Sequence, residues 1–271
     1  MFFVKRGKSL SNESYGEAMS ESYDSLNSDI DYSAWADFLC DCMERFAKIE
    51  VKHICEIACG TGKMSTLLSK RGYKVTASDL SEEMLCLAEN RAREENCRNL
   101  TLTKQDMRSF TAANKAQAVV CLLDSVNCLL KPSDVKMCFE SAAKILDDGG
   151  VFLFDVNSKY KFENVYSDNA YVLEDDNVLC AWENYYNEKT HICDFYLSFF
   201  KERNNGLYER NDEHRRERMY TKRSLEKYLS ESGFEVCGVF SDFDFSKGDE
   251  AKDERLYFAA IKRKNNGVKN A

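Results

Sequence analysis

Residues 53–62 read His-Ile-Cys-Glu-Ile-Ala-Cys-Gly-Thr-Gly, a short apolar run that passes into a glycine turn just ahead of a helical pattern. A strand, a glycine-rich turn and a helix in that order let a ligand approach the backbone closely at the carboxyl end of an open α/β sheet. Working outward, strands are expected at His53–Ile57, Lys74–Ser78, Leu100–Lys104, Ala118–Leu123 and Val151–Asp155, with helices at Gly62–Arg71, Ser81–Glu95 and Ser133–Leu146. Such alternation is the signature of a parallel sheet flanked by helices. Ser81 is placed to cap its helix, and the run from Asp147 to Gly150 reads as a helix stop and turn. Beyond Asp155 the alternation breaks. Residues from about 170 to 219 carry Tyr, Trp, Phe and Cys at alternate positions, with Asn204, Asn205 and Gly206 as a hairpin turn. A helix at Thr221–Ser232, stopped by Gly233, precedes strands at Phe234–Phe240 and Arg255–Ile261, an antiparallel closing pair.

Composition bounds the function. The chain has 271 residues and a net charge of −8, which suits one globular core with an elaboration and argues against a broad surface for phosphate backbones. The stretch Arg210–Arg223 is interleaved with Asp212, Glu213 and Glu217, so a solvated face explains it about as well as a basic patch. There are 12 cysteines and three histidines, but no CxxC pair, so no metal site is expected. Cys121 and Cys128 lie in apolar runs as small hydrophobes. Reduced thiols, a cytoplasmic location and no membrane association are the expectation, since no apolar stretch is long enough to span a bilayer and the opening residues do not form a signal peptide. Residues 1–22 read as a flexible arm, 23–50 as an amphipathic helical lid, 51–262 as the core interrupted by an antiparallel insert at 160–220, and 263–271 as a flexible tail.

The glycine turn alone admits several cofactors. A dinucleotide fingerprint fails at Lys63, where glycine is required, and no phosphate-cradling G-x-x-x-x-G-K-[ST] occurs. The stretch Glu56-Ile-Ala-Cys-Gly-Thr-Gly62 resembles instead the first motif of class I S-adenosylmethionine-dependent methyltransferases. A carboxylate beside the turn would attract a cationic cofactor where it would repel a phosphate. The resemblance implies an α/β, Rossmann-like fold with a seven-stranded, mostly parallel sheet flanked by helices and a β-rich insert after strand five. It also implies S-adenosyl-L-methionine as cofactor. Glu56 would lie near the methionine ammonium, and Ala58, Cys59, Gly60 and Gly62 against the cofactor. Asp79 and Leu80, about twenty residues on, would meet the ribose, Asp106 and Met107 the adenine. Leu123 would border the strand-end crevice.

The segment Tyr23–Trp35 resembles the lid of a small-molecule subgroup of that family, which implies that Tyr23 and Tyr32 reach the cofactor. Trp182, Tyr186, Glu213, His214, Arg218 and Tyr220 of the insert are candidates to line an acceptor pocket. Asp124, Glu213 and His214 are the candidate general bases. The reading is a methyltransferase acting on a small molecule by in-line displacement, with a homodimer through the insert as a further expectation. An RNA-modifying methyltransferase and a non-catalytic cofactor-binding protein are the alternatives.

Overall fold

The computed structural model describes Asp24, Asn27 and residues 29–175, 178–203 and 205–264. Its central sheet has seven strands in the order β10-β11-β5-β4-β1-β2-β3. Strands β1 (His53–Ile57), β2 (Lys74–Asp79), β3 (Leu100–Lys104), β4 (Ala116–Cys121) and β5 (Leu146–Asn157) are parallel neighbours. Strand β11 (Arg255–Lys262) runs antiparallel between β5 and β10 (Phe234–Phe240). All five residues of β1 are buried, as expected of a central strand covered on both faces.

Helices α1 (Tyr32–Phe46), α2 (Lys63–Lys70) and α3 (Glu82–Glu94) follow the order of the chain, then α4 (Pro132–Ile145) and α5 (Lys222–Glu231). On one face Phe139 of α4 packs with Phe152, Phe154 and Phe258, the last two rings stacked at 4.8 Å. On the other, α1 buries Trp35, Phe38, Leu39 and Met43 against the sheet and the 240–245 loop. Removing four such side chains from water contributes about 1.5–3 kcal/mol each.

The helix expected over 23–50 is shorter. It begins where the Asp31 carboxylate accepts from the Ala34 N–H at 2.9 Å and ends at Phe46. Tyr23, the arm 1–22 and residues 265–271 lie outside the described residues. The run from Asp147 to Gly150 is not a free turn. It lies inside β5, where the register jumps from Ala116↔Leu146 to Ala118↔Val151. A Cβ on Gly150 would sit 2.7 Å from the Gln117 carbonyl oxygen, so the glycine is required by a bulge hard against β4. Strand β4 starts two residues earlier than expected and ends at Cys121. Leu122 and Leu123 then belong to the turn that follows.

The insert is a second, antiparallel sheet in the order β6-β7-β8-β9, formed by Ala170–Asp175, Val178–Asn187, Ile192–Glu202 and Tyr208–Arg218. A π-helical turn, Lys161–Tyr166, leads into it. Alternate residues Cys193, Phe195, Leu197 and Phe199 of β8 face a small core with Phe162, Tyr166 and Met219. The opposite face carries Tyr185, Tyr196 and His214.

Gly62 has φ +73°, and a Cβ there would meet Ala88 of α3 at 2.8 Å. Gly62→Ala is expected to lower the unfolding free energy by about 2–4 kcal/mol, the sum of left-handed strain and overpacking. Gly72→Ala, at φ +94° with nothing within 4 Å, is expected to cost about 1–2 kcal/mol from strain alone; urea melts of both variants make the comparison.

Candidate active site

The carboxyl ends of β1, β2, β3 and β4 open into a cavity of about 710 Å³ roofed by the insert. Its first end is built on the glycine turn. Ala58, Gly60 and Gly62 adopt φ of +56°, +54° and +73°, which turns the chain sharply between β1 and α2. Gly60 and Ser81 donate their N–H groups to the two Asp79 carboxylate oxygens, at 2.8 and 2.9 Å. One carboxylate thus ties the ends of β1 and β2 together, and burial pushes its titration up against these two donors.

Glu56 is 3% exposed. Its carboxylate accepts from the Ser65 hydroxyl, and burial raises its pKa to about 7. Tyr32 closes this end from α1, with the Lys63 ammonium over its ring at 4.9 Å. Thr61 donates to Asp24 at 2.7 Å, and Arg91 pairs with the same carboxylate, so the segment ahead of α1 is held down on the glycine turn. Beyond β3, Asp106 accepts from the Arg108 N–H and guanidinium, which together outweigh the opposing effect of burial and keep its carboxyl below the usual range.

After β4 two consecutive non-glycine residues, Leu123 and Asp124, have φ of +54° and +52°. Strain of this kind persists only where the surroundings enforce it. Here Asp124 donates its N–H to Asp155 at 2.9 Å, and the Arg255 guanidinium bridges the Asp124 and Asp155 carboxylates. Next along, Asn127 accepts from the Asn157 N–H and donates to the Arg218 carbonyl, both at 2.9 Å. The insert is therefore clasped at its entry and its exit by one buried side chain.

The far wall comes from the insert: Tyr166, Leu173, Trp182, Phe195 and Leu197, with Lys161, Arg215 and Glu217 at the junction. Of the expected site residues, Tyr32, Glu56, Ala58, Cys59, Gly60, Asp79, Leu80, Asp106, Met107, Leu123 and Asp124 line the cavity. Gly62 does not; it packs behind the turn on Ala88. Nor does His214, which stacks on Tyr196 at 4.5 Å and meets Asp194 at 2.6 Å on the outer face of the insert. Glu213 lies beside Arg215, 4.0 Å away, and is not in the cavity wall.

Among the insert candidates Trp182 lines the cavity, whereas Tyr186, Arg218 and Tyr220 do not. Tyr220 donates to the Leu129 carbonyl and Arg218 to that of Leu130 at 3.3 Å, where they fasten the insert to the core. Cys121 is buried, but Cys128 faces the cavity instead of the core. Lys161, Glu217 and Arg255 were not found from the sequence. For Glu217 the two-residue alternation of β9 was the available signal, since it shares a face with Glu213 and Arg215.

The sequence profile described as a methyltransferase domain matches residues 54–150. Over 240 residues the chain is 31% identical to a Geobacillus sp. (strain WCH70) protein named as a methyltransferase, covering 89% of this chain and 96% of that one. It belongs to the class I S-adenosylmethionine-dependent methyltransferases. The crystal structure of an S-adenosylmethionine-dependent methyltransferase from Clostridium acetobutylicum ATCC 824 is 31% identical, covers 91% of this chain and 98% of its own, and superposes with a TM-score of 0.81. A partial match, 31% identical over 125 residues, is a dTDP-3-amino-3,4,6-trideoxy-α-D-glucopyranose N,N-dimethyltransferase of Streptomyces venezuelae, covering 46% of this chain and 50% of that one. S-adenosylmethionine is the cofactor of this methyltransferase. Among the described residues no helix is long and apolar enough to cross a membrane.

The buried Glu56 makes the free protein's stability depend on pH. Unfolded, the carboxyl ionises near its ordinary value; folded, it keeps its proton to about pH 7. The folded state therefore binds more protons across that window, and stability falls as pH rises through it, by about 3 kcal/mol at most. Glu56→Gln is expected to flatten this part of the curve in thermal melts of cofactor-free protein between pH 4.5 and 7.

Proposed function

We propose that this methyltransferase moves the methyl group of S-adenosylmethionine by in-line displacement to a nucleophile on a small molecule held beneath the insert. The observation that carries the reading is one continuous cavity, which runs from Gly60 and Asp79 to Trp182, Phe195 and Leu197. A space of this volume is of the size that encloses a small ligand, and its two ends differ in chemistry.

The glycine-turn end fits the cofactor. A carboxyl at Glu56, hydrogen-bonded from Ser65, offers a negative charge to the methionine ammonium. A Cβ at Gly60 would meet nothing within 4 Å, so the turn leaves room for a ligand against Ala58, Cys59 and Gly60. In this reading Asp79 holds the ribose hydroxyls with Leu80 beside it, Asp106 and Met107 hold the adenine, and Tyr32 and Leu123 border the methionine end; Tyr23 keeps its proposed part in the lid. When bound, the cofactor supplies an electrophilic methyl group on a sulfonium. The chain's own task is to hold the nucleophile in line with it and exclude water. The insert does the excluding.

A small acceptor is supported by the aromatic lining under the insert and by the aminosugar named for the Streptomyces relative. Within the stretch Arg210–Arg223, Arg210 pairs with Asp212, Arg215 lies beside Glu213, and Arg218 turns inward to Leu130, which supports a small acceptor over the RNA alternative. Of the three candidate bases, Asp124 is the one in the cavity wall.

Two outcomes are expected in calorimetry. Asp79→Ala abolishes cofactor binding, and unchanged affinity would overturn the ribose assignment. Cofactor affinity of the unaltered protein weakens as pH drops below about 7, because the ammonium pairs with ionised Glu56, and Glu56→Gln removes that dependence.

A further inference from the structure

Where the insert meets the core, Glu217 of β9 reaches into the cavity beside Asp124, which lines the same wall, and the two carboxyls lie close enough to act on each other directly. Asn157 donates to Glu217 Oε2 at 3.1 Å and, through the same Nδ2, reaches the Tyr166 hydroxyl at 3.1 Å. Asp124 is held from the other side by Arg255 at 2.9 Å. A buried carboxyl this close to a second one keeps its proton, shared toward its neighbour, because two negative charges so placed repel strongly. We propose that Asp124 and Glu217 form the proton-accepting station of this enzyme, and that the acceptor is a primary or secondary amine that enters as its ammonium and surrenders a proton to this pair.

The charges around the pair favour an amine. Asp124, Asp155 and Glu217 bring three carboxyls; Arg255, which bridges two of them, and Lys161, whose ammonium lies over the Tyr166 ring at 5.3 Å, bring two cations. The remaining groups that face the pair are the Tyr166 hydroxyl and the Cys128 and Cys193 thiols, with Glu254 beyond Lys161 and the Arg215–Glu213 pair next along β9. With Glu254 counted and the Arg215–Glu213 pair cancelling, the carboxyls outnumber the two cations, and in the free protein a proton on the pair offsets part of that excess. In keeping with this, desolvation first and the Asp124 charge second hold the Glu217 carboxyl well above the ordinary range. An ammonium can take that proton's place, whereas a neutral hydroxyl brings no charge to exchange for it. Tyr166, Trp182 and Phe195 supply aromatic faces for the cation.

The balance closes. When the ammonium binds, the pair's own proton leaves for solvent; an ammonium N–H proton then passes to the vacated carboxyls and frees the nitrogen electron pair. That pair forms the new N–C bond as the C–S bond breaks, its electrons remaining on the sulfur of the departing neutral thioether. The proton then leaves the pair for solvent as the product leaves.

This inference rests on the methyl-transfer reading above, and its test needs no turnover. In protein saturated with S-adenosylhomocysteine and carrying carbon-13 in its Glu carboxyls, NMR follows the Glu217 signal, assigned by E217Q or, should that variant not fold, by E217D. The expected midpoint lies above the ordinary carboxylate range and moves down in D124N. Benzylammonium or glucosammonium should move it down further, and benzyl alcohol or glucose should leave it in place. A midpoint in the ordinary range, or one indifferent to D124N, overturns the shared proton. Equal response to alcohols and ammonium compounds, or no response to either near the solubility limit, overturns the amine. Loss of S-adenosylhomocysteine binding to the unaltered protein would instead strike at the cofactor reading, independently of the carboxyl titration.

Discussion

One buried guanidinium governs the active end of this molecule. Arg255 arrives on β11, the single strand that runs against the others, and holds the carboxylates of Asp155 on β5 and Asp124 beyond β4. Burying these charges is costly, and removing one partner would leave the others uncompensated. The bridge therefore fixes the turn after β4 in a conformation that Leu123 and Asp124 would not adopt unaided. That turn aims Asp124 into the cavity and presents Asn127 to clasp the insert.

The layered fold was legible because its physics is local and periodic. The strands β1, β3 and β10 fall where alternation and apolar runs put them, and Gly60 and Gly62 mark a turn that needs left-handed backbone. The bulge in β5 was hidden because Asp147-Asp-Gly-Gly150 has the composition of a turn; only the proximity of the Gln117 carbonyl explains why the glycine lies inside a strand. The N-terminal helix ran long in the sequence because nothing in its pattern competes with the Asp31 cap.

The site divided along the same line. Residues at strand ends of the parallel core, such as Asp79, Asp106 and Asp124, occupy positions that topology alone sends to the cavity. Residues of the insert depend on which face of a strand meets the core, and a shift of one position reverses that choice. His214 is a candidate base by residue type alone, yet its parity places it with Tyr196 on the outside. Glu217 has the opposite parity. Lys161 and Arg255 become partners of the site through contacts that span long stretches of chain, which no local pattern encodes.

The clasp at Asn127 has a consequence for how acceptor choice can change. Both ends of the insert pass within reach of one side chain, so the segment between Ser158 and Met219 begins and ends at nearly the same place. It is a cassette on a fixed mount. Recombination or grafting at these two points could exchange the roof of the cavity while β1 to β5 and their cofactor turn go untouched. The same geometry sets the limit on such grafts: an incoming roof must bring its own partner for Asp124, because the mount supplies only half of the carboxyl pair.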